Sequence, residues 1–348
     1  MHMKTKEIII TGYGRVAKEF VELLDKKEAD LIRDYQAEYK VVGIICPIGM
    51  VYEKTGLSLS LLRNLPSGSK GLSQYANIRN LPLQKPTLKG DILLECTPTN
   101  LETGEPALSY MKEALDKRMD IISLSKGALV HALPELLEIA RSKQRQIKYS
   151  GATAAALPTL DIGEYSLAGS NIVSMEGILN GTSNFILTRM SEDNLTFEQA
   201  LHLAQEKGIA EKNPSLDVEG LDSACKILLL ANGLLHTKYT LKDISIEGIQ
   251  KITKADMQMA KINGCEWKLM ATAKIHKGEV FLEVKPQVIH PDHPLFHVRG
   301  TNKGMMFHTE EMGTICCIGG ASHPRAAAAA AFKDMLNLAN KYGNWLLR

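Results

Sequence analysis

With 348 residues, 45% hydrophobic and 23% charged, the chain has an ordinary globular balance and is long enough for two cores. Its net charge of +2 excludes a strongly basic nucleic-acid face, and no apolar run approaches the length of a membrane span. The N-terminus enters a strand directly, with no signal peptide, so a cytoplasmic protein is expected. The cysteines (Cys46, Cys96, Cys225, Cys265, Cys316 and Cys317) show no CxxC or metal spacing and read as reduced packing residues. His290, His293 and His297 lie among Pro and Asp in a loop with no partner motif, so no metal site is expected.

In chain order, EIIITGYGRVAKEFVELL comes first: a β-branched run from Ile8 to Thr11, then Gly12-Tyr-Gly14-Arg-Val-Ala17, then a helix. This is a dinucleotide fingerprint with Ala at its third small position. Gly12 permits the tight turn, Gly14 lets a pyrophosphate approach the backbone, and Ala17 lets helix and strand pack closely. The bland alternative is a tight βα turn and nothing more. A second strand is expected at 39–45, ending in Cys46-Pro47-Ile48-Gly49, with neither the acid that would select NAD nor an Arg that would select NADP. Residues 56–85 read as a helix and a loop. DILLECTPTN forms a buried strand ending at Thr97, a helix follows over 106–116, and a strand over 119–123 runs into Ser125-Lys126-Gly127. A lysine at the carboxyl end of a parallel strand points to the crevice where such sheets bind ligands, although taken alone it reads as a solvated loop lysine. A helix over 133–142 and a strand over 146–150 complete an α/β half.

After about residue 160 the texture changes. IVSMEGILNGTSNFILTRM reads as a strand, an Asn180-Gly181-Thr182-Ser183-Asn184 turn and a helix. Its backbone N–H groups and the Thr182 hydroxyl suit a carboxylate, where plain turn chemistry is the alternative. Around 202–235, Glu211, Asp217, Asp222 and Lys226 stand beside the start of an apolar helix with a stripe at 221, 224, 225, 228 and 229. Asp222 and Lys226, four apart, share a face; by itself such a pair reads as a solvated salt bridge. WKLMATAKI and EVFLEVKPQVI are two alternating strands of an open sheet, and the chain closes with a strand, a small-residue turn and an Ala-rich helix.

The pieces GYGRVA, ECTPTNLETGEPAL, SKGAL, ATAAALP, GILNGTSNFILTRM, IAEKNPSLDVEGLDSACK and GTNKGMMF, in that order along nearly the whole chain, resemble homoserine dehydrogenase. The resemblance implies an α/β Rossmann nucleotide-binding domain over 1–150 and an α+β catalytic and dimerisation domain with an open mixed sheet over 151–315. A C-terminal helix over 316–348 would return to the nucleotide domain. It implies NAD(P)-dependent interconversion of L-aspartate 4-semialdehyde and L-homoserine in amino-acid biosynthesis, by a homodimer or higher homo-oligomer. Gly12, Gly14, Arg15 and Val16 would contact the cofactor, with Thr97, Ser125 and Lys126 near the nicotinamide. Lys126 and Lys226 would be two active-site lysines sharing a crevice, with Asp222 holding Lys226. Glu211, Asp217, Gly181 and Thr182 would line the substrate site.

The chain departs from the family pattern at Ser125, where an Asn is usual, at Ile209 for Tyr, and at Asn213 for Asp. Ser150 stands where some members use a Glu for sodium, so no metal is carried over. A C-terminal regulatory ACT domain and an N-terminal aspartate kinase are not expected. The rival readings are a catalytically silent NAD(P)-binding sensor and a dehydrogenase of another small hydroxy acid.

Overall fold

The computed structural model describes residues 4–339, and contacts divide them into two units, Thr153–Ser322 forming the second. In the first, strands β1 (Lys4–Thr11), β2 (Ala37–Cys46), β3 (Gly49–Tyr52), β4 (Ile92–Glu95), β5 (Asp120–Ser123) and β6 (Ile147–Lys148) form one sheet in the order β3-β2-β1-β4-β5-β6. All neighbours are parallel except β2 and β3. Ile8, Ile9 and Ile10 are fully buried, as a continuous apolar run in a strand covered on both faces requires. The chain passes from β1 to β2 on one side and returns to β4 on the other. This doubly wound order has its switch point between β1 and β4, where such sheets bind ligands outside the carboxyl ends. The helix Arg15–Tyr35 packs against the helix Pro324–Ala339, with the Phe20 and Phe332 rings 6.4 Å apart, and Arg325 Nη1 lies 2.8 Å from Glu19 Oε2.

Local expectations change in four places. The Cys46–Gly49 turn joins β2 to the antiparallel β3, because Gly49 at φ +127° reverses the chain at once. Residues 56–85 hold two helices, Leu59–Asn64 and Gly68–Arg79. The helix expected from 133 starts at Gly127 and bends at Ala132 (φ −144°), two residues before Pro134, whose missing N–H and bulky ring interrupt the helical bonding. The strand expected over 146–150 is only Ile147–Lys148. Ser150 begins a helical turn instead, its N and Oγ donating to Asp334 at 3.0 and 2.8 Å.

The second unit has β7 (Ile172–Ile178), β8 (Ile244–Ile246), β9 (Glu266–His276), β10 (Glu279–Ile289), β11 (Lys303–Thr309) and β12 (Gly313–Gly319), ordered β12-β11-β7-β9-β10-β8. Only β8 pairs in parallel, so the sheet is mixed. Lys277 and Gly278, both at positive φ, make the two-residue turn between β9 and β10. The helices Gly181–Glu192 and Leu221–Leu234 pack on the sheet. The second is buried beyond its predicted stripe, Ile227, Leu230 and Ala231 included.

Candidate active site

The first strand-end turn has the geometry its glycines imply. Gly12 sits at φ +78°, and a Cβ there would lie 2.6 Å from the Cys96 carbonyl oxygen, so the approach of the two strand-end loops demands glycine. At Gly14 the opposite holds: a Cβ would meet nothing within 4 Å, and no side chain caps the helix that starts at Arg15. The first-turn N–H groups thus face open space without an internal acceptor, as an anion site needs. Arg15 is exposed, Val16 is half-buried and Ala17 is fully buried.

At the ends of β4 and β5, Glu95 is fully buried, and Thr97 donates to it through both its N–H (2.8 Å) and its hydroxyl. Ser123 Oγ donates to the same carboxyl at 3.3 Å, and the Ser125 N–H also donates to it. Burial raises the Glu95 carboxyl to about 7 against these bonds. The Ser125 hydroxyl is 2% exposed and has no hydrogen-bond partner. Lys126 is half-buried where the helix Gly127–Ser142 begins, and its N–H donates to Thr99 Oγ1 at 3.3 Å. Open space at Gly14, uncapped helix N–H groups and an orphaned buried hydroxyl fit a dinucleotide. The β2–β3 turn offers no acid or Arg to read a 2′ substituent.

In the second unit Asn180 is the hub. It follows β7 and caps the helix Gly181–Glu192, its Oδ1 accepting from Ser183 N at 2.8 Å. Its Nδ2 donates to Asp217 Oδ1 at 2.6 Å and to Asp222 Oδ2 at 2.8 Å. Lys226 Nζ donates to Asp222 Oδ2 at 2.5 Å and to the Leu179 carbonyl at 2.8 Å. The Asp222–Lys226 pair is only 14% exposed on each side, so the solvated surface pair that the spacing alone suggests is not what forms. Burial raises the Asp217 carboxyl, and neighbouring Asp222 raises it further, opposed by hydrogen bonds from Asn180 and Thr182 and by the Lys226 charge. Thr182 Oγ1 also lies 3.2 Å from the Ile209 carbonyl, and a Cβ at Gly181 would lie 2.8 Å from Thr301 O.

The sequence reading missed Asn180 as a hub, and also Lys303. That lysine starts β11, one residue beyond the Gly304–Ile178 pairing and so beside Leu179, whose carbonyl receives Lys226. It is 2% exposed, and its Nζ donates to the Ala154 carbonyl at 2.5 Å. Burial, and next the Lys226 charge, lower its ammonium to about 8. The available signal was a lysine inside the otherwise apolar strand KGMMF. Glu211 does not join the array: it is exposed, and its backbone carbonyl accepts from Gln205 Nε2 at 3.2 Å. Cys316, expected as a packing residue, is exposed on β12, and all six cysteines are free thiols. The three loop histidines diverge: His290 meets Asp292, His293 meets Glu176, and His297 meets Phe296 edge to face.

A doubly wound sheet with an open glycine turn, together with a mixed-sheet unit carrying a part-buried carboxylate–lysine array, is the pattern of a nicotinamide-dependent oxidoreductase. The homoserine dehydrogenase family model matches residues 158–336. The homoserine dehydrogenase of Methanocaldococcus jannaschii is 33% identical over 344 residues, covering 96% of this chain and 98% of that protein. The NAD(+)-dependent homoserine dehydrogenase of Pseudomonas canavaninivorans is 31% identical, over 97% of each chain. A solved structure of a candidate homoserine dehydrogenase from Archaeoglobus fulgidus superposes with a TM-score of 0.82 at 27% identity, over 96% of this chain and 99% of that one. The chain belongs to the homoserine dehydrogenase family.

Proposed function

We propose that the protein interconverts L-homoserine and L-aspartate 4-semialdehyde with NAD(P). The observation that carries this reading is the part-buried Asn180–Asp217–Asp222–Lys226 array. Homoserine is a zwitterion with a primary hydroxyl, so it requires an anionic group for its ammonium, donors for its carboxylate and a proton carrier at the hydroxyl. Asp217 serves the ammonium. The Gly181 and Thr182 backbone N–H groups, at a helix start, serve the carboxylate. Lys226 carries the hydroxyl proton, taking it during oxidation and returning it during reduction, while Asp222 and the Leu179 carbonyl fix its position. The Gly12–Val16 turn with Arg15, Thr97, Ser125 and Lys126 would hold the nicotinamide cofactor, which would supply hydride acceptance and donation. Lys126 is assigned the cation that polarises the substrate oxygen, and Glu211 an outer substrate contact; both assignments rest on the family resemblance.

Among the described residues no helix is long and apolar enough to cross a membrane, and the biosynthetic role argues for the cytoplasm. Subunits are proposed to pair through the open face of the second sheet, where Phe281 is 53% and Ile318 52% exposed. Light scattering showing a monomer at micromolar concentration would remove that assignment. The activity is tested by following absorbance at 340 nm with L-homoserine and oxidised cofactor. Turnover of L-homoserine well above that of other small alcohols is expected, and its absence would overturn the reading.

A further inference from the structure

Glu95 has no part in binding or chemistry as described so far, yet it is a fully buried acid at the carboxyl end of a strand beside the switch point. We propose that Glu95 is a positioning residue that fixes the hydrogen-bond polarity of the strand-end loops, turning Thr97 into an obligate acceptor for a donor on the nicotinamide riboside half of the cofactor. The inference rests on the cofactor site proposed above.

Thr97 gives Glu95 Oε1 both its N–H and its hydroxyl proton, so the hydroxyl has only lone pairs left to offer. Thr97 is half-buried at the loop surface, so those lone pairs are what a ligand meets. The other carboxyl oxygen takes the Ser123 hydroxyl at 3.3 Å, and the Ser125 N–H is bound as well, so one side chain ties the loops after β4 and β5 together. Ser125 Oγ, in the second of these loops, is 2% exposed with no partner, an independent sign that a polar ligand group is received here. The matching chemistry is a ribose hydroxyl or carboxamide N–H, both donors. Burial raises the carboxyl to about 7, so Thr97 is locked as an acceptor above that pH, where the carboxylate has no proton to donate.

The test is fluorescence titration of NADH and NADPH into wild type, Glu95→Ala, Glu95→Gln, Thr97→Val and the Glu95→Ala/Thr97→Val double variant, with melting of each free protein measured in parallel. Glu95→Ala should weaken binding at least about tenfold, because the Thr97 hydroxyl then rotates freely, while Glu95→Gln, whose amide oxygen still accepts from Thr97, should stay within about threefold. Thr97→Val should lose about tenfold, and the double variant should bind within about twofold of Thr97→Val alone, since one effect acts through the other. Full multiplication of the two single losses, or Glu95→Ala binding like wild type, would overturn the inference. If Glu95→Ala shows no melting transition, Glu95→Asp, which withdraws the carboxylate by one methylene, takes its place in the same cycle. Failure of wild type to bind either cofactor would instead overturn the cofactor site itself.

Discussion

Replacing Asn180 by alanine should destabilise the second unit by about 4 kcal/mol. Asn180 is 5% exposed, and its side chain makes three hydrogen bonds: the cap to Ser183 N and the two to Asp217 and Asp222. Losing the cap costs ~1 kcal/mol. Each donor to a carboxylate contributes ~1.5 kcal/mol or more. Lys226 still binds Asp222 and Thr182 still serves Asp217, which keeps the total near the lower sum. Urea unfolding followed by circular dichroism measures the loss. Asn180→Asp separates the contributions, because aspartate caps a helix as well as asparagine but places a third carboxylate against the other two. Its penalty should grow as pH rises and the proton shared among the three carboxyl groups is lost, since burial and Asp222 already raise Asp217. An alanine loss below about 1 kcal/mol, or an aspartate penalty independent of pH, would show that the cap alone matters and that Asn180 does not hold the carboxylates together.

Gly14→Ala should leave melting unchanged, since its Cβ would enter open space, yet weaken cofactor binding at least about tenfold. Gly12→Ala should lower stability by more than about 1 kcal/mol through the Cys96 clash and the positive φ; equal melting of the two variants would contradict the turn geometry. NADH and NADPH should differ by less than about a hundredfold in affinity, ~2.7 kcal/mol, because no acid or Arg stands in the β2–β3 turn; a larger preference in fluorescence titration would show that another residue reads the 2′ position. Lys303 is lowered from 10.5 to about 8 by burial first and Lys226 second. Between those values the unfolded chain holds a proton that the native state has released. Stability relative to Lys303→Met should therefore rise with pH across that window, by at most ~3 kcal/mol, and parallel urea midpoints at pH 8 and 10 would refute it.

What the sequence showed plainly was local. The Gly12–Ala17 turn is legible because its steric demands admit few residues, and the strand–Asn180–helix turn because capping has a short-range signature. The β2–β3 hairpin was hidden by a Pro-Ile-Gly turn that reads equally well as a loop. Asp222 and Lys226 were seen at helical spacing, but spacing says nothing of burial. Burial is supplied by β7 and by Asn180, about forty residues away. Lys303 and Glu95 escaped notice for the same reason, since each depends on strand register rather than on its neighbours in sequence. Glu211 shows the converse: a motif brings it near in sequence, yet it is exposed.

The proposed activity depends on Lys226 carrying the hydroxyl proton from within a part-buried array. Its direct test is the chemical step of L-homoserine oxidation in Lys226→Ala, followed by single-turnover absorbance at 340 nm, with NADH affinity measured alongside. The rate should fall at least about a hundredfold, the low end for general acid–base catalysis, while NADH affinity stays within about twofold. Near-native turnover in that variant would contradict the account and leave Asp222–Lys226 as a structural ion pair.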